Sequence, residues 1–252
     1  MKYLFLFLTS TLIFLGCASS INTSSFSPSQ RLNYAMRLYN DKDYENSVKE
    51  FQAIILQYPG NDVVDTAQYY LGESRFQRSE YIMAAYEFSR LIKNMPASKL
   101  VPAAQYMLAQ SYYELSPYYA LDQKYTKKAI EEFQAFIDFF PTDPKVPDAE
   151  KKISELNDKL AEKEYKEAYI YEKLEDYKAA IIYYDLVLDN YHDTQYAPLA
   201  MYSKIKLLVY RKQNDEALAA ISKFIEKYPN DSHVKEIEKI KTSLEGKLSA
   251  SK

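Results

Sequence analysis

The chain has 252 residues, enough for one large core or two smaller ones, and at 47% hydrophobic and 27% charged it has the composition of a globular protein. A net charge of −3 excludes the basic footprint of a nucleic-acid binder, and a single cysteine excludes a disulfide framework or a cysteine-rich metal site. Four glycines against 26 tyrosines point to packed helices with aromatic faces, not to turn-rich sheets or phosphate-cradling loops.

Lys2 and the apolar stretch Tyr3–Leu15 make a signal-peptide pattern. The stretch is too short to cross a bilayer, which takes about 20 apolar residues. It ends in Phe14-Leu15-Gly16-Cys17, which is similar to the bacterial lipobox. Gly16 is the small residue a peptidase needs, and Cys17 supplies the thiol that takes a diacylglyceryl group. Phe14 and Leu15 depart from the leucine and small residue usual at those places. Residues 1–16 are therefore read as signal peptide and residues 17–28 as a lipidated tether. Its uncharged, serine-rich stretch Ala18–Pro28 reaches roughly 18 Å as a random coil.

Five segments then repeat. They begin at Tyr44, Tyr81, Thr126, Tyr177 and Asn214. Three places on stand Ser47, Ala84, Ala129, Ala180 and Ala217; seven on stand Phe51, Phe88, Phe133, Tyr184 and Ile221. Eleven on come Ile55, Ile92, Ile137, Leu188 and Ile225, and fourteen on Tyr58, Met95, Phe140, Tyr191 and Tyr228. Proline follows in four cases and His192 in the other. These steps trace one face of a helix, the small residue admits a partner helix, and the proline stops it. Small residues upstream, Ala35, Gly72, Ala109 and Ala168, mark a first helix in each of four units, with Ile205 in that slot of the fifth. Each unit is thus a pair of antiparallel helices and resembles the tetratricopeptide repeat, although the starts lie 37, 45, 51 and 37 residues apart against a family period near 34.

The long spacings have two sources. Ser116–Lys124 is inserted between the helices of the third repeat, and a helical run over Asp148–Asp176, about 42 Å long, separates the third from the fourth. The expected fold is an all-α solenoid of about five helix pairs, closed by a capping helix from Asp231-Ser232 that carries Ile237, Ile240 and Leu244 on one side. Residues 29–147 form an N-terminal lobe of three repeats. Residues 148–252 form a C-terminal lobe of the long helix, two repeats and the cap.

Catalytic signatures are absent. The two histidines, His192 and His233, have no spaced partner for a metal, and no nucleophile elbow, phosphate loop or dinucleotide fingerprint occurs. The chain is read as no enzyme, needing no cofactor beyond the lipid on Cys17. What remains is binding. In this repeat type the first helices line the concave groove, where Tyr39, Tyr69, Phe76, Tyr106 and Tyr113 recur beside Glu73 and Gln110. Tyrosines at helical spacing also serve as core, and spacing alone does not decide which of these face the groove. A groove of that kind suits an extended, aromatic-rich peptide.

A tetratricopeptide solenoid on a lipidated tether resembles the BamD family of outer-membrane protein assembly lipoproteins. The most specific stretch is Lys159–Leu207, with L-A-x-x-E-Y-x-x-A-x-x-Y followed by Y-x-A-A-I and Y-x-D-T-x. The resemblance spans the mature chain. It implies a scaffold on the periplasmic face of the outer membrane, with two partners: the POTRA domains of a BamA-type β-barrel insertase, and the C-terminal segments of unfolded outer-membrane proteins. Carried over, the client site falls on the seven groove residues and the insertase site near Tyr183, Tyr210, Arg211 and Lys212. The alternative is another periplasmic repeat lipoprotein, an adaptor in envelope or division complexes.

Overall fold

A computed structural model describes residues 23–250; the signal peptide and Cys17 lie outside the described residues. Every regular element described is an α-helix. In chain order they are α1 (Pro28–Asn40), α2 (Tyr44–Gln57), α3 (Val64–Gln77), α4 (Tyr81–Asn94), α5 (Val101–Glu114), α6 (Lys124–Phe139), α7 (Val146–Lys173), α8 (Tyr177–Asn190), α9 (Tyr196–Tyr210), α10 (Asn214–Lys227) and α11 (Val234–Ala250).

Local chemistry sets the ends. Ser27 and Gln30 form a reciprocal capping box at the start of α1, with proline in its first turn. Asp43 and Asp176 cap α2 and α8 by accepting from the backbone N–H groups of Asn46 and Ala179. Each second helix ends at the residue fourteen places from the repeat start. Tyr58, Met95, Phe140, Tyr191 and Tyr228 all turn extended, with φ between −125° and −134°. A following proline disfavours helix at the residue before it, and Tyr191 adopts the same bend without one.

The turns from first to second helix share another device. Lys42, Ser79, Glu175 and Lys212, each two residues before its second helix, hold φ near +60°. The next N–H then reaches back to the first helix: Asp43 to Leu38, Glu80 to Arg75, Asp176 to Tyr171 and Gln213 to Leu208, at 2.8–3.0 Å. This is the Schellman closure, made here without glycine. The third repeat lacks it. There Gln123, 6% exposed, closes the insertion by donating from Nε2 to the carbonyls of Tyr118, Tyr119 and Leu121.

Packing follows the repeat with one shift. The residues three and seven places on are fully buried in every unit. The third buried position is ten places on: Ile54, Leu91, Phe136, Val187 and Phe224 have no exposure, whereas Ile55, Ile92, Ile137, Leu188 and Ile225 are only partly covered. Burying side chains of this size contributes about 1.5–3 kcal/mol each. A buried amide latch recurs in two units. Gln68 Nε2 donates to the carbonyl and carboxylate of Glu87, and Gln105 does the same to Glu132.

The expected long helix is α7, which starts at Val146 and stops at Lys173, and the cap α11 starts at Val234, just beyond Asp231-Ser232. Ala149, Ile153 and Leu156 of α7 pack into the core of the third repeat, and Ala161, Tyr165 and Ala168 into that of the fourth. One continuous helix therefore belongs to both blocks.

Candidate functional site

The first helices α1, α3 and α5 touch in succession, so the same face of each is presented side by side. Gly72 brings this layer close to α4: a Cβ there would stand 2.7 Å from the Phe88 ring. Tyr39, Tyr69 and Glu73 come together on that layer. Tyr69 Oη donates to Glu73 Oε1 at 2.9 Å, and Tyr39 Oη approaches Glu73 Oε2 at 3.4 Å. Glu73 is 9% exposed. Burial pushes its carboxyl above the usual carboxylate range, against the two phenols and Lys145, which pull it down. Burial, then the Glu73 charge, raises Tyr39 and Tyr69 well above the ordinary phenol range.

Tyr106 and Tyr113 face a different partner, the start of α7. Tyr106 Oη donates to Asp148 Oδ2, and Tyr113 Oη donates to Glu155 Oε2 at 2.7 Å. Burial and Asp148 raise Tyr106, and the bond to Glu155 pushes Tyr113 up to about 12. The Tyr106 bond holds Asp148 below its ordinary range. Lys145 Nζ lies 4.3 Å from the Tyr106 ring centre, and Lys152 Nζ lies 5.3 Å from that of Tyr113. Gln110 donates from Nε2 to Glu114 at 2.7 Å, and its buried Oε1 has no donor among the described residues. Phe76 packs edge-on to Tyr81 at the α3–α4 turn and against the apolar core around Phe88.

Lys145, Asp148, Lys152 and Glu155 are the site residues that sequence reasoning missed. A signal was present: Asp148 and Glu155 are seven apart, as are Tyr106 and Tyr113, so two helices in parallel register meet twice. Further along, the insertion folds against α7 and the start of α9 around a cleft of about 530 Å³, lined by Tyr118, Tyr119, Tyr196, Glu155, Asp158 and Glu162. Lys159 Nζ pins the insertion by donating to Ser116 Oγ at 2.7 Å, and Lys163 Nζ donates to the Leu121 carbonyl at 3.0 Å. Burial pulls Lys159 below the usual lysine range.

At the other lobe, Tyr210, Arg211 and Lys212 sit together at the α9–α10 turn. Tyr210 is 68% exposed and meets the Tyr177 ring edge-on at 5.2 Å. Tyr183 stacks instead on Tyr171, at 5.1 Å and 20°, on the α7–α8 face. Among the described residues no helix is long and apolar enough to cross a membrane.

A family model described as outer membrane lipoprotein, YfiO, matches residues 26–211, from the start of the first helix pair to the end of α9. The chain belongs to the YfiO family of outer-membrane lipoproteins. A tetratricopeptide-repeat model matches residues 199–231, the fifth pair of this YfiO chain. The outer membrane protein assembly factor BamD of Rickettsia prowazekii (strain Madrid E) is 30% identical over 217 residues, covering 85% of this chain and 86% of that one. Among solved structures, a tetratricopeptide protein of Bacteroides fragilis is 16% identical with a TM-score of 0.49, covering 86% of this chain and 99% of its own. The TPR2AB domain of yeast Sti1 in its pHSP90 complex is also 16% identical, with a TM-score of 0.44, covering 88% and 84%.

Proposed function

We propose that this chain is a non-catalytic scaffold subunit in the assembly and insertion of outer-membrane β-barrel proteins. The similarity to a curated assembly factor over 85% of the chain carries this reading. A lipid on Cys17 holds the solenoid at the periplasmic face of the outer membrane. The N-terminal lobe, residues 29–147, receives the C-terminal segments of unfolded clients on Tyr39, Tyr69, Glu73, Phe76, Tyr106, Gln110 and Tyr113. The C-terminal lobe, residues 148–252, docks on the POTRA domains of a BamA-type insertase through Tyr210, Arg211 and Lys212. The exposure of that turn and its unlike side chains, one aromatic and two cations, support this assignment. The docking surface extends to Tyr183, which stacks on Tyr171 at the α7–α8 face. Binding free energy alone drives the work.

Tagged chain purified from detergent-solubilised membranes should enrich a large β-barrel insertase. Absence of such a barrel would overturn the assembly reading and leave a different envelope adaptor. A photo-crosslinking residue in place of Tyr39 should capture client segments, and one in place of Tyr210 the insertase; the reverse pattern would exchange the two lobes' roles.

A further inference from the structure

We propose that the inner face of the N-terminal lobe is a surface of hydrogen-bond acceptors, and that it selects client segments in which aromatic side chains alternate with lysine or arginine. This rests on the groove reading above and names the class of peptide that the groove takes.

Proton positions decide it. A carboxylate has no proton to give, so in each of the pairs Tyr39–Glu73, Tyr69–Glu73, Tyr106–Asp148 and Tyr113–Glu155 the phenol is the donor. Each phenol has one proton, and that proton is spent inside the protein. Toward a ligand the phenol oxygens have only lone pairs left to offer, those of Tyr39, Tyr69 and Tyr113 from part-exposed side chains and that of Tyr106 from a side chain 9% exposed in the third repeat's core. Burial and the neighbouring acids hold Tyr39, Tyr69 and Tyr106 in the protonated, donating form. Gln110 adds one more free acceptor: one of its two amide N–H groups goes to Glu114, and its buried carbonyl oxygen has no donor among the described residues. Gln110 and Tyr106 stand 37 residues after Glu73 and Tyr69, so the pattern repeats from one helix pair to the next.

The cations nearby do not reverse the balance. Lys152 Nζ is paired with Asp148 at 3.1 Å, and Lys145 lies over the Tyr106 ring. Both come from the α7 side. Lys151 lies 3.7 Å from Glu155, and Lys145 also acts on Glu73 from a distance, but the hydrogen bonds that Glu73 receives at the α1–α3 end come from the phenols of Tyr39 and Tyr69. An incoming ammonium or guanidinium meets tyrosine faces, phenol lone pairs and desolvated carboxylate there, and all three favour positive charge. An extended backbone adds N–H donors along its edge. An incoming carboxylate meets the same lone pairs and is repelled.

The test uses the full chain and fluorescently labelled nine-residue peptides that end in phenylalanine and alternate aromatic residues with lysine, glutamate or glutamine. The lysine peptide should bind at least about tenfold more tightly than the glutamate peptide, the scale of one partly desolvated charge pair. Glu73→Gln should shrink that preference several-fold, with helical circular dichroism reporting that the variant is folded. Glu155→Gln, at an exposed position, should shrink it independently. Equal binding of the lysine and glutamate peptides, or a preference untouched by both substitutions, would overturn the acceptor proposal alone. No binding of any peptide would overturn the groove reading with it.

Discussion

Gly72 shows how finely a single position is fitted. The equivalent residues Ala35, Ala109 and Ala168 carry a methyl group, but a Cβ at Gly72 would lie 2.7–2.9 Å from three atoms of the Phe88 ring. Gly72→Ala gains up to about 1 kcal/mol of helix propensity. It costs about 1–3 kcal/mol of overpacking, so a lower Tm is expected. Gly72→Ala with Phe88→Leu should recover part of the loss; a double variant as unstable as the single would mean that the ring is not the obstacle. Glu73, the next residue, sets a pH dependence. Its folded pKa is raised above its ordinary 4.5, so the folded chain binds this proton more readily than the unfolded one. Its contribution to stability therefore improves as pH falls from neutrality through that raised pKa, and levels off below 4.5. Asp148 runs the other way: its lowered pKa gives stability that is full above 3.8 and is lost as pH falls through the folded value. Carboxyl-carbon NMR titration should place the Glu73 midpoint above 4.5 and the Asp148 midpoint below 3.8. The opposite order would remove both assignments.

At the scale of one helix, the repeat signal was strong because two constraints fell on each second helix. A small residue twelve places and a large one eight places before a proline leave little freedom, and four of the five helices begin at the residue read from the sequence. Phe140 shows the same precision at the other end, since α6 stops there although it starts two residues before Thr126. The packing residue ten places on was harder to see. Positions ten and eleven are both apolar, and only the neighbouring helix decides which of two adjacent residues it covers. The site was legible in its tyrosines and opaque in their partners. Asp148 and Glu155 look like an ordinary solvated face until α5 is laid in parallel beside α7. His192 offers an element-scale test. It stands where the other repeats have proline, Tyr191 before it already adopts the shared bend, and the main-chain bonds of the α8–α9 turn run through Thr194 and Ala197. His192→Pro should raise stability by about 0.4–1 kcal/mol through the unfolded chain. Losing the exposed pair with Asp193, 3.2 Å apart, costs little. An unchanged or lower Tm would mean that this turn differs in backbone from its four counterparts.

At the scale of the molecule, the proposed function puts a client on one lobe and a partner on the other, and α7 is the element that packs into the cores of both. Its 28 residues run without a break from the third repeat's core to the fourth's. The side chains that meet Tyr106 and Tyr113 sit on its first half, and the face packed on α8 and α9 on its second. On that reading, a shift of α7 on client binding should move the C-terminal repeats as a unit, provided the helix stays straight. Asn157→Pro tests that condition. Proline in the helix interior removes one main-chain bond and clashes with the preceding turn, at a cost of about 3 kcal/mol. Each block keeps its own clusters, around Phe51, Phe88 and Phe133 on one side and around Tyr184 and Ile221 on the other. The variant should thus lose little helical circular dichroism while small-angle scattering shows a broader spread of distances between the lobes. Calorimetry should resolve two transitions where the parent shows stronger coupling. Peptide binding to the N-terminal lobe should survive, and its effect on partner docking at Tyr210 should not. If docking still responds to peptide in Asn157→Pro, coupling runs through the insertion that Lys159 and Lys163 pin to α7, and not through the helix itself.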